Sequence, residues 1–440
     1  MNLRIHSIFK NKVLFFVPLV FSGAILVNSI ESSILRNSNK EVIDHVWQII
    51  YRDFLDSDGN FNRSNWIKLR KKLLSQKYPN SSDAYEAIRE MLSNLDDPYT
   101  RFLDPKQFYE MRIDTSGELT GVGIQIIKDE KLDDFVIVSP IEGSPAYQAG
   151  IKAQDRIISI NNITTKGMDI EKAVNLIRGK RGTKVILGIS RNGKLFYKSL
   201  LRKKIEIKSV LSRINSTKEG YLVGYVRIKQ FNANASKEMK DTLLDLENKE
   251  VSGYVLDLRG NPGGLLDSSI EISRQFINQG IIVSTVSKNG LKDVKKANGS
   301  ALTNKPLVVL VNEGSASASE IVSGAIRDNQ RGKLVGKKTF GKGLVQSMRA
   351  LVDGSGLTVT VAKYLTPDGT DINKFGITPD LEVNMNSLRL LQSEIGTKKD
   401  KQYKAGENLL INLIKSKKSL STFDPHSSNI YAALKIKSTY

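Results

Sequence analysis

The chain has 440 residues, a net charge of +20 and 40% hydrophobic residues, enough length for two or three domains and enough apolar content for packed cores. It has no cysteine and only three histidines, His6, His45 and His426. That excludes thiol catalysis, disulfides and thiolate zinc sites, and leaves no histidine cluster for a metal. The basic residues are dispersed and lack interleaved aromatics, the pattern of solvated faces, so no nucleic-acid partner is expected.

Arg4, Lys10 and Lys12 precede an apolar run of 15 residues, Val13 to Val27, interrupted by Pro18 and Gly23. A spanning helix needs ~20 residues, so residues 1–30 read as an export signal, either cleaved or kept as a membrane anchor. Residues 31–115 read as helical: Val42, Val46, Ile49 and Ile50 recur at helical spacing. Ser82 or Asp83 can cap a helix to Leu95, which the prolines of LDDPYTRFLDP end. Asp56-Ser57-Asp58-Gly59 has a faint likeness to a calcium loop, but its glycine comes early and no Glu closes it, so it reads as a turn.

Residues 116–207 change to short strand-like runs (VGIQII, DFVIVSPI, RIISINN, TKVILGIS) parted by turns, with one helix near 169–178 that presents Ile170, Val174 and Ile177. Residues 208–385 return to α/β alternation. GYVLDLRG and PLVVLVN are continuous apolar runs, as expected of strands buried on both faces. Helices are expected over Leu266–Phe276 and Ser319–Arg327. Residues 386–440 form a basic extension in which Leu409, Leu410, Leu413 and Ile414 can dock on the core or lie on a membrane surface. No internal repeat is present.

Three segments carry chemistry. In LVVLVNEGSASASEI a strand runs through a small-residue turn into a helix. A serine there is exposed beside free helix N–H groups that can stabilise an oxyanion; equally, Ser315, Ser317 and Ser319 can be plain N-caps. Any serine nucleophile here needs a base other than histidine, and Lys342, between two glycines in FGKG, is a candidate. Burial can lower a lysine pKa by ~3–5 units and leave it neutral. In a strand, Gln346 would share its face and could orient the amine. DLRGNPGG, at 257–264, suits a tight loop offering backbone N–H groups. It has no GK[ST], so it is not a phosphate loop.

Together, GSASASEI, KTFGKGLVQ and DLRGNPGG resemble the C-terminal processing (tail-specific) protease family over residues 40–385. LDDPYTRFLDP and DGSGLTVTVAKYLTPDGTDINKFGITPD look like its cyanobacterial and chloroplast branch. The resemblance implies an α/β (α+β multidomain) fold: a crotonase-like βα protease core at 208–385, an inserted PDZ domain at 116–207 and the N-terminal helical region. It implies Ser317 as nucleophile, Lys342 as general base 25 residues on, Gln346 as its support, and Asp328 as a further support. The oxyanion donors would be the N–H groups of Ala318 and Gly263, with Gly264 an alternative. In the PDZ domain, Gly121, Val122, Gly123 and Ile124 would hold a terminal carboxylate. The tail would add as a strand beside Ile124–Ile127, opposite Ile170, Val174 and Ile177. No cofactor or metal is implied. Partners would be protein substrates with exposed C-terminal tails, with membrane association through the N-terminal segment. The compartment would be the thylakoid lumen or periplasm, and the substrate a photosystem II reaction-centre precursor. Rival readings are a catalytically silent PDZ scaffold or chaperone, and a crotonase-like acyl-CoA enzyme.

Overall fold

The computed structural model describes residues 39–129, 132–384 and 393–422. Residues 1–30, read from the sequence as an export signal, and the end of the basic extension lie outside the described residues.

Three helices open the described chain: Asn39–Asp53, Arg63–Ser75 and Ser81–Ser93. The third is capped by Asn80, whose side chain accepts from Asp83 N–H, and not by Ser82 or Asp83. Asn80 lies just outside the apolar pattern, where an N-cap belongs. Asp56 accepts the N–H groups of Gly59, Asn60 and Phe61, which makes Asp56–Gly59 an ordinary turn. The helices bury Val46, Ile50 and Ile88 with Leu357 and Val359 of the strand Gly356–Leu365. The N-terminal region is therefore fastened to the following core, a contact that Leu55 N–H extends by donating to Thr360 O.

The core holds two sheets. The larger runs in the order Val210–Ser216, Leu222–Ile228, Gly253–Asp257, Leu307–Val311, Lys333–Gly336, Leu381–Glu382. All of its pairs but the first are parallel. Its central strands, Gly253–Asp257 and Leu307–Val311, are buried at every position. Both of their faces are covered, as their unbroken apolar runs require. On one face lie the helices Ala235–Asn248, Leu266–Arg274 and Ala318–Asp328, with Leu243, Ile270 and Val322 buried. On the other lies the helix Lys401–Thr422, whose Tyr403, Leu410 and Ile414 pack on Val223, Val255 and Leu310. The basic extension thus docks, and the core continues past residue 385. The second sheet is antiparallel and built around Gly356–Leu365, which pairs with Arg101–Leu103, Ile281–Ser287 and Leu344–Ala350.

Between the helix Pro105–Ser116 and the core stands a separate β-rich module. Its sheet runs Ile124–Asp129, Asp134–Pro140, Arg156–Ile160, Lys184–Arg191, Lys194–Leu201, over a core of Phe135, Ile157 and Leu187. The helix Ile170–Ile177 packs on it, close to the predicted span. The module leaves and rejoins the chain at one point, where Ile207 N–H donates to Gly117 O at 2.9 Å.

Candidate active site

The strand Leu307–Val311 ends at a turn, and the helix Ala318–Asp328 begins immediately after Ser317. Ser317 has φ +54° and ψ −113°, a strained backbone for a residue with a side chain. Its neighbours differ from it in kind. Ser315 and Ser319 are fully buried, and their hydroxyls donate to Leu258 O at 2.8 Å and Asn261 O at 2.9 Å. Those two serines staple the turn to the segment Leu258–Asn261, at the start of the loop Arg259–Gly264. Ser317 is half-buried, stands at the N-cap position of the helix and faces a cleft of about 730 Å³. The N-cap position and exposure to the cleft thus coincide at Ser317, and of the three serines it alone lines the cleft.

Lys342 and Gln346 line the same cleft. The glycines beside Lys342 are required by close packing: a Cβ on Gly343 would stand 2.7 Å from Asn373 N, and one on Gly341 2.8 Å from Gly376 N. Burial, and secondarily the Arg101 guanidinium, hold the Lys342 amine below its ordinary pKa, against an opposing pull from Asp97 and Glu320. The amine sits 4.7 Å from the centre of the Tyr99 ring, and no hydrogen bond joins it to the Ser317 hydroxyl. Gln346 reaches the cleft by a different route from the expected one. Lys342 precedes the strand Leu344–Ala350, and a bulge falls between Val345 and Gln346, so simple alternation does not relate the two. The Gln346 amide donates to Thr360 Oγ1 at 3.3 Å, and Thr360 donates to Asp97 at 2.6 Å.

The loop Arg259–Gly264 lies against Ser317. A Cβ on Gly263 would meet Ala318 N and Ser317 Cβ, each at 2.9 Å. The Ala318 N–H has no acceptor among the described residues, as expected at the first turn of a helix. The Gly263 N–H is occupied: it donates to Asn261 Oδ1 at 2.9 Å. The Gly264 N–H has no acceptor among the described residues, and Gly264 lines the cleft. Asp328 is not brought to this cleft. It closes the far end of the helix, 11 residues long and so ~16 Å, where it pairs with Arg327 and accepts Asp368 N–H.

Glu320 links the backbones of Ser317 and Lys342, and it is absent from the residues singled out in the sequence. Its fully buried carboxylate accepts the N–H groups of Ser317 (2.9 Å), Gly341 (2.7 Å) and Lys342 (2.9 Å) and the Thr339 hydroxyl (2.6 Å). The sequence carries a signal for it, since an acidic residue three positions after a helix-start serine marks a capping box. Tyr99 and Arg101 were equally hidden, inside a segment read as a helix terminator.

In the β-rich module, the backbone N–H groups of Val122 and Gly123 donate to no acceptor among the described residues. Gly123 has φ +78°, and a Cβ there would stand 2.2 Å from Ser144 Cβ, so the turn admits only glycine. Ile124–Asp129 is an edge strand, with one side unpaired. Ile124 and Ile170 are partly buried and Val174 is half-buried, as a groove wall would be, whereas Ile177 lies inside the module's core.

Residues 222–383 match the model of peptidase family S41, and residues 136–191 match that of the PDZ domain. The chain is 41% identical to the carboxyl-terminal-processing protease of Synechocystis, over 89% of this chain and 91% of that one. The chain belongs to the carboxyl-terminal-processing proteases of family S41. It is 40% identical to a carboxy-terminal processing protease of Bacillus subtilis, over 80% of this chain and 74% of that one. Among solved structures, a photosystem II D1 C-terminal processing protease aligns with TM-score 0.51 at 36% identity, over 79% of this chain and 94% of that one. The protein is thus a serine peptidase that processes protein C-termini and carries a PDZ domain. Among the described residues, no helix is long and apolar enough to cross a membrane.

Proposed function

We propose that this protease cuts by a Ser317–Lys342 dyad, fed by a PDZ domain that grips the substrate's terminal carboxylate. The observation that carries the reading is the division of labour among the three serines: two are spent on the loop, and Ser317 alone faces the cleft with a half-buried, deprotonation-prone lysine. The amine swings from the Tyr99 ring to the Ser317 hydroxyl and takes its proton, and the oxygen attacks the scissile carbonyl. The Ala318 N–H and a glycine N–H of the loop stabilise the oxyanion. The unoccupied N–H of Gly264 favours it over Gly263 for the second donor. Protonated Lys342 then gives its proton to the leaving amine, and the acyl-enzyme is released by a water that the neutral lysine activates. Gln346 and Thr360 hold Asp97 near the amine, and Asp328 supports the distant end of the nucleophile helix.

The PDZ loop Gly121–Ile124 holds the carboxylate with the free N–H groups of Val122 and Gly123. The tail adds to the open edge of Ile124–Asp129, against Ile170 and Val174. Its substrate is the precursor of a photosystem II reaction-centre protein and its compartment the thylakoid lumen or periplasm, reached by residues 1–30. That finer reading rests on likeness to a structure named for D1 processing and on cyanobacterial and chloroplastic relatives.

The test is digestion of a tail-bearing precursor by the parent, Ser317→Ala and Lys342→Ala, with products read by mass spectrometry. Trimming by the parent alone is expected. Intact substrate in all three, with the tail still bound, would leave a PDZ scaffold. Trimming by either variant would overturn the dyad.

A further inference from the structure

The residues after 383 lie beyond the matched family region, yet one of them reaches the catalytic loop. Asp400 is fully buried and sits at the start of the helix Lys401–Thr422. Its Oδ1 accepts Tyr403 N–H at 3.1 Å, a helix cap, and its Oδ2 accepts Gly396 N–H at 2.9 Å. The same two oxygens receive Arg259 Nη1 at 3.0 Å and Nη2 at 2.6 Å. Gln402 adds its Oε1 at 3.0 Å from Nη1. On the opposite side, Asp257 accepts Arg259 Nε at 2.9 Å and Nη2 at 2.6 Å, and is itself held by the Tyr225 hydroxyl. Arg259 is the first residue of the loop whose Gly263 abuts Ser317 and whose Gly264 lines the same cleft.

Capping alone does not explain a charge at this position, because Asn or Ser caps a helix as well as Asp. Neutralising Arg259 does not explain it either, because Asp257 already supplies a bidentate partner. A second buried carboxylate is costly to desolvate and is justified only by what it fixes. With two forks closing on it from opposite sides, the guanidinium cannot tilt about either pair, and the backbone that follows it inherits that fixity.

We infer that Asp400 is a positioning residue for the oxyanion loop, so that the C-terminal helix start sets the placement of the Gly263–Gly264 backbone against Ser317. The inference rests on the reading of that loop as an oxyanion donor. A misplaced donor weakens binding of the transition state and leaves substrate binding, which the PDZ domain governs, untouched.

The experiment compares full-length parent, Asp400→Asn and Asp400→Ser on a tail-bearing precursor, with Ser317→Ala alongside. Both variants keep the cap but lose charge-assisted bonds to the buried Arg259, so their melting temperatures should fall below that of the parent, and the assay is run below them. kcat should fall at least tenfold, while KM changes less than twofold. Folded variants with kcat within twofold of the parent, beside a dead Ser317→Ala, would overturn this inference and leave the dyad standing. An active Ser317→Ala would instead sink the dyad reading itself. Should both Asp400 variants melt below the assay temperature, Gln402→Ala decides. It keeps cap and charge and removes one Arg259 contact, so kcat should fall about threefold or more at constant KM. An unchanged kcat there refutes the inference.

Discussion

At Glu320 a single carboxylate fixes the backbone of both Ser317 and Lys342. The helix-start N–H of Ser317 and the loop N–H groups of Gly341 and Lys342 all converge on it, out of reach of bulk solvent. Glu320→Gln would turn an amide donor toward donors. It should cost about 1–3 kcal/mol of stability for each bond so disrupted and roughly 100-fold in kcat, the scale of a lost oxyanion contact; chemical denaturation and steady-state kinetics measure the two. A second prediction concerns Lys342. In the proposed dyad its working form is neutral, and burial depresses its pKa, so activity should rise with pH along a limb that lies below the ordinary lysine value of 10.5. Arg101 contributes to that depression by charge repulsion. Arg101→Gln should raise the Lys342 pKa, move the limb to higher pH and lower the rate at neutral pH, with the alkaline plateau unchanged. A pH–rate profile whose limb stays in place would refute this. The candidate nucleophile and base were legible as residues because their motifs are local. Glu320, Tyr99 and Arg101 were not, because their meaning lies in contacts with segments far along the chain.

Secondary elements were legible where burial on both faces leaves an unbroken apolar run, as in Gly253–Asp257 and Leu307–Val311, and where apolar spacing is helical, as in Ile170–Ile177. Reasoning failed where backbone geometry departs from a simple period. The bulge before Gln346 cancels the alternation that would have set it beside Lys342, and the Asn261 side chain takes the Gly263 N–H. The docking of the extension after residue 385 was legible in its apolar stretch Leu409–Ile414, but its role as a cover for the second face of the sheet was not. Its lysines mark the solvated side of a helix whose other side covers the sheet. Leu410 is fully buried there, and a Cβ on Gly253 would lie 3.0 Å from its Cδ1. Leu410→Ala should therefore cost about 2–5 kcal/mol, seen as an earlier denaturant midpoint with an unchanged slope.

For the molecule as a whole, the PDZ module and the protease core are separate bodies, joined where the chain enters and leaves the module and by an ion pair between Lys106 and Glu171. In the proposed capture the PDZ loop offers Val122 and Gly123 N–H groups to a carboxylate, so amidating a substrate's C-terminus should raise KM roughly tenfold or more, given ~1.5–3 kcal/mol for a charge-assisted bond. kcat should not change, and parallel kinetics on free and amidated tails would read this out; equal KM values would refute the capture role. The hydrogen bond between Ile207 N–H and Gly117 O carries a wider consequence. Because the module's entry and exit touch, the core sees it as it would see a hairpin turn. Any domain whose two ends meet could be spliced there without stretching the fold around Ser317. Evolution, or an engineer, can thus exchange the address a protease reads while leaving its blade as it stands.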